Sequence, residues 1–150
     1  MAFKFRFQQL LQICIHEENE VKNQLARKDG QIAEANAGIR KFKDEYATAL
    51  QNKIIDLQNG DMLKLQLYPA YLARLKKSWE FHEEELERLI KQREKIMQEL
   101  MQKRRNRKTY EKMRENDEAD WRKEQQKREQ RNLDEYGGRL KSGQGENSDA

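Results

Sequence analysis

The side chains able to do chemistry are few and scattered. His16 and His82 are the only histidines, and Cys14 is the only cysteine. No His-x-x-x-His pair and no second thiol offers metal-ligand spacing, and a lone cysteine excludes an internal disulfide. Glu83-Glu84-Glu85 is a dense carboxylate run. Consecutive helical positions point in different directions, however, and solvated carboxylates lack the burial that tunes an acid–base pair. There is no glycine-rich phosphate loop, no nucleophile elbow and no hydrolytic triad. The expectation is a protein that is not an enzyme and holds neither metal nor cofactor.

The strongest local charge signal is Lys103-Arg104-Arg105-Asn106-Arg107-Lys108. Such a run could hold nucleic-acid phosphates by counterion release, face an acidic protein surface, or simply be solvated. The aromatic interleaving of a single-strand binder is absent. Across the chain, 31 basic residues stand against 27 acidic ones for a net charge of +4. Mixed charge at that density describes a solvated helical surface better than a nucleic-acid-binding face.

The elements that must position these groups follow from hydrophobic spacing. Phe7, Leu11, Cys14, Glu18, Val21, Leu25, Lys28, Ile32, Ala35, Ile39, Phe42, Tyr46 and Ala49 succeed one another in a four-three alternation. That repeat sets one seam along a helix, the mark of a coiled coil. Tyr68, Leu72, Leu75, Trp79, His82, Leu86, Leu89, Arg93, Ile96 and Leu100 form a second seam. His82 is thus expected as a packed or interface histidine, and Cys14 as a small buried hydrophobe.

Between the seams, Gln58-Asn59-Gly60-Asp61 offers a glycine C-cap followed by an aspartate N-cap. Pro69 suits only the first turn of a helix. The expected fold is all-α: a long two-helix antiparallel coiled-coil hairpin over residues 1–136, with a short or kinked connection near 58–69. Helix one is expected at about 5–57, the turn at 58–61 and helix two at about 69–135, followed by a disordered tail at 137–150. Leu50, Ile54 and Leu57 sit one step off the first seam and predict a local register shift. Antiparallel pairing about the turn would bring Glu18 near Arg107. The opening Phe3-Lys4-Phe5-Arg6-Phe7 predicts a frayed first turn whose rings cap the helices.

A two-helix structure covers one stripe per helix, so some of Tyr46, Tyr68, Tyr71, Leu75 and Trp79 must stay partly exposed and mark a partner site. Tyr71 lies off the seam and is the better interface candidate. No apolar stretch approaches a membrane span, so a cytoplasmic protein is expected.

Phe3-Lys4-Phe5-Arg6-Phe7-Gln8-Gln9-Leu10-Leu11 with Glu17 and Glu18 resembles the opening of the FliJ family of flagellar export proteins. So do Tyr68-Pro69-Ala70-Tyr71-Leu72-Ala73-Arg74-Leu75, Lys108-Thr109-Tyr110-Glu111-Lys112-Met113-Arg114-Glu115 and Leu133-Asp134-Glu135-Tyr136, in the same order. The chain departs from the family pattern at Pro69. The resemblance implies a hairpin like the central stalk of rotary ATPases, monomeric when free. It implies three partners: the hexameric flagellar export ATPase, the cytoplasmic domain of the membrane export gate, and export chaperones. It also implies a peripheral location, through protein contacts, at the inner face of the membrane at the flagellar base. Carried over by position, the gate-binding residues are Ile39, Phe42, Tyr46, Tyr71, Leu75, Ser78 and His82. The basic residues Lys103, Arg104, Arg105, Arg107 and Lys108 are the expected contact for the ATPase ring. Two other readings stay open from the residues: a basic coiled coil that binds nucleic acid, and a dimeric scaffold whose seams pair between chains.

Overall fold

The computed structural model describes the backbone of residues 2–148 and the side chains of residues 2–141. Two helices make up nearly all of it: α1 (Gln8–Gln58) and α2 (Met62–Ser148). They pack against each other as an all-α helical hairpin, the expected fold class. Lys, Arg, Glu, Gln and Leu lose little rotamer freedom in a helix, so propensity favours the elements and the apolar stripe orders them.

The connection is built from three residues. Asp61 N–H donates to the Asp56 carbonyl at 3.1 Å, and Gly60 N–H to that of Leu57 at 3.2 Å. These are the two bonds of a Schellman motif, which needs a left-handed residue at Gly60; its φ is 68°. Asp61 then caps the next helix: its Oδ1 accepts from Lys64 N–H at 3.3 Å, and its carbonyl from Leu65 N–H at 3.1 Å. One residue both closes α1 and opens α2.

That cap moves the expected boundary. Helix two starts at Met62, not near 69, and Pro69 lies inside it. Extending the helix backward adds Leu65 and Tyr68 to the inward stripe, so burial favours it despite the missing proline N–H. At the other end, α2 runs past 135 and through Gly137-Gly138 to Ser148, where a disordered tail was expected. Neither of these glycines has a positive φ. Without a left-handed cap, a glycine only weakens a helix, by about 1 kcal/mol relative to Ala, and does not end it. Residues 149 and 150 of that tail lie outside the described residues. Helix α1 begins at Gln8, slightly later than the expected 5.

The chain divides into two compact units, Glu17–Gln102 and Met1–His16 with Lys103–Ala150. In the first, Val21, Ala35 and Ala49 of α1 and Leu75, Leu89 and Leu100 of α2 are buried. Cross-helix pairs fix an antiparallel register. Lys28 Nζ donates to Gln92 at 2.7 Å and Arg93 Nε to Asp29 at 2.5 Å. Lys43 lies 3.2 Å from Glu83, the Tyr46 ring meets Trp79 edge-on at 5.0 Å, and the Tyr68 hydroxyl donates to Asp56. As the α1 number rises, its α2 partner falls. Glu18 is buried, with the Lys22 ammonium 3.4 Å from Oε1.

The expected register shift near Leu50 does not occur. The alternation continues inward through Lys53 and Asp56, which are half-buried. Leu50, Ile54 and Leu57 are left 39%, 58% and 65% exposed. Keeping register aligns Asp56 with Tyr68, a polar pairing that hydrophobicity alone does not foresee.

In the second unit the opening aromatics pack inward. Phe5 and Leu11 are buried, Phe3 lies 5.9 Å from Trp121, and Phe7 meets Tyr110 at 6.3 Å. The Arg6 guanidinium sits 4.5 Å over the Phe7 ring. Among the described residues no helix is long and apolar enough to cross a membrane.

Candidate protein-docking surfaces

The residues expected to meet the export gate gather on unit Glu17–Gln102, but they differ in what they can offer. Ile39, Phe42 and Tyr46 of α1 and Ser78 and His82 of α2 are half-buried, and Tyr71 is exposed. Leu75 is only 4% exposed, so it supports the surface from beneath.

His82 is the centre of the arrangement. Its imidazole stacks on Phe42, with centroids 5.6 Å apart and planes 20° from parallel, and meets Phe81 edge-on at 5.8 Å. The room for it comes from Gly38, where a Cβ would stand 3.2 Å from His82 Nε2. A shallow groove follows, lined by Phe42, Arg74, Lys77, Ser78, Phe81 and His82. The Ser78 hydroxyl is turned back onto the Arg74 carbonyl at 2.9 Å.

Tyr71 belongs to a neighbouring recess, with Tyr68, Ala49 and the polar α1 residues Glu45, Thr48 and Asn52. The Tyr68 hydroxyl donates to Asp56 Oδ2 at 2.5 Å. That bond, then partial burial and the negative charge of Asp56 and Asp61, raise the phenol above its ordinary 10.0.

The sequence reading passed over Phe81 and Gly38. Phe81 stands 64% exposed. It carries the same signal that singled out Tyr71, a large ring one step off the stripe. Gly38 has no signal of its own, because its role depends on a residue of the opposite helix.

The basic run lies on the other unit and does not present a single face. The seam alternation continues from Leu100 through Lys103 and Arg107, and both are half-buried. Arg107 Nη1 bonds both carboxylate oxygens of Glu111, at 2.9 and 3.0 Å. Arg104, Arg105 and Lys108 are exposed.

Among the described residues no three His, Cys, Asp or Glu side chains gather as a metal site, and Cys14 is a half-buried free thiol. The surfaces available are open and shallow, and suit other macromolecules better than small substrates. This is a coiled-coil hairpin whose candidate sites are docking faces. The family described as Flagellar FliJ protein matches residues 3–146, and the chain belongs to it. It is accordingly a component of the flagellar export apparatus. Comparisons with curated proteins and with solved structures return no match.

Proposed function

We propose that this protein is a stalk-like activator of the flagellar export ATPase that also binds the export gate and escorts export chaperones, acting without catalysis of its own. The free chain is a monomer, and its place is peripheral to the inner face of the membrane through these protein contacts. The observation that carries the reading is where the two expected sets of contact residues fall in the chain. Ile39, Phe42, Tyr46, Tyr71, Leu75, Ser78 and His82 all fall in unit Glu17–Gln102, whereas Lys103, Arg104, Arg105, Arg107 and Lys108 all fall in the other. An aromatic groove supports a gate contact, and a charged surface with few apolar groups supports seating in a ring without a fixed hydrophobic lock.

The test is ATP hydrolysis by the export ATPase with and without the protein, beside gate binding measured separately. Lys103 and Arg107 are half-buried, so the informative variant reverses the exposed Arg104, Arg105 and Lys108 to Glu. Stimulation is expected to fall while gate binding persists. Loss of both, or of neither, overturns the two-surface reading. Stimulation absent from the unaltered chain overturns the activator role itself.

A further inference from the structure

Resting on the gate-contact reading of this face, we infer that the Phe42–Phe81–His82 groove takes an acidic segment anchored by an apolar or aromatic side chain. The floor supplies the apolar half. The Phe42 and His82 rings are stacked, and Phe81 stands largely exposed beside them. A large ring left in water at the mouth of a groove is the sort of group that anchors a partner once desolvated.

The rim supplies the charge. Arg74 and Lys77 line the groove, and no carboxylate does. Lys41 stands beside the groove, in the adjoining recess, with its ammonium 6.0 Å from the Phe42 centroid. Some cations of this unit are paired, Lys22 with Glu18, Lys43 with Glu83, Arg88 with Glu85 and Arg93 with Asp29, while others away from the groove, such as Arg27, Arg40 and Lys76, have no ion pair among the described residues. Lys41, Arg74 and Lys77 have no ion pair among the described residues. Their positive charge is therefore available to an incoming ligand.

The cationic stretch is also bounded. Glu84, Glu85 and Arg88 line a recess on the far side of Phe81, and Asp44 and Glu45 accompany Lys41 towards Tyr71. An acidic ligand is attracted between these limits and repelled beyond them, which fixes its position.

The experiment uses the full chain and a fluorescent synthetic helical peptide carrying one Phe among Glu residues. Two controls replace its Glu by Lys, or its Phe by Ala. The acidic Phe peptide is expected to bind, and each control to bind more weakly. Reversing Arg74 and Lys77 to Glu is expected to weaken binding by about tenfold or more. Phe81→Ala also weakens it without altering charge, and Lys76→Glu does not. No peptide binding, or equal loss in the Lys76 variant, overturns the inference. The export-gate cytoplasmic domain forms a separate arm. A gate domain that ignores the chain while the acidic peptide binds it overturns the gate reading alone. A gate domain that binds equally well to the Arg74/Lys77 variant, with no peptide binding, overturns the groove inference alone.

Discussion

Gly38 and His82 sit so close that a Cβ on the glycine would lie 3.2 Å from the imidazole Nε2. The approach is tighter than ordinary van der Waals contact, so an added methyl must push the ring by a few tenths of an ångström. A mid-helix glycine also weakens α1 by about 0.5–1 kcal/mol relative to alanine. Gly38→Ala is therefore expected to hold or raise the melting temperature while shifting the His82 ring resonances in NMR spectra. Unmoved His82 resonances would show that the close approach is absent in solution.

At the turn, the constraint is backbone conformation and not space. Gly60 has φ 68° and nothing within 4 Å of where its Cβ would be. Gly60→Ala is expected to destabilise the hairpin by about 1–2 kcal/mol, read as a lower urea midpoint with an unchanged denaturant slope.

Pro69 lies inside α2, where the missing N–H and the ring together disfavour a helix by about 3 kcal/mol. Pro69→Ala is expected to stabilise the protein, by up to about that amount. If stability and helical circular dichroism do not rise, the turns before Pro69 are not helical in solution.

Tyr68 ties the two helices through Asp56. The folded phenol titrates above the ordinary value of 10.0, first because of that hydrogen bond. A group whose folded pKa is raised contributes stability below its unfolded pKa and loses it as pH climbs through the folded one. Tyr68→Phe is expected to be less stable than the parent at neutral pH, with the difference shrinking above about pH 10. Urea midpoints of both proteins across that window would decide it; a constant difference removes the bond.

The register makes an asymmetric prediction. Leu100 is 2% exposed, and Leu100→Ala is expected to destabilise by about 2–5 kcal/mol. Leu57, on the outer side of α1, is expected to tolerate the same change within about 0.5 kcal/mol. Comparable losses at both positions would mean that the seam does shift at the tip.

These contrasts also show what the sequence could carry. The long seams were readable because a stripe of one residue in three or four has few alternatives. The turn was readable because Gly60 and Asp61 each have a local backbone job. Near the tip the reading failed, because Leu50, Ile54 and Leu57 outscore Lys53 and Asp56 in hydrophobicity while the latter face inward. Only the opposite helix, with Tyr68 waiting for a carboxylate, explains that choice. The same limit applies to the docking face. Tyr71 stood out as a ring off the stripe, but Gly38 gains meaning only when His82 is laid across it. Pro69 and the paired glycines near the end of α2 misled for another reason. Their local penalties are real, but at Pro69 the Asp61 cap and the inward Leu65 and Tyr68 offset them, and at Gly137-Gly138 the helix continues because neither glycine takes a left-handed conformation that would end it.

The three-residue connection at Gly60 bears on how the chain reaches its shape after synthesis. Asp56 and Tyr68 are only 12 positions apart, whereas Lys28 and Gln92 are separated by 64. Closing a short loop forfeits less chain entropy than closing a long one, and each pair formed near the tip shortens the loop for the next. Assembly of this unit is thus favoured to zip from the turn outward, with the Asp61 cap as its seed. A nascent chain halted soon after Tyr68 already contains everything needed to begin.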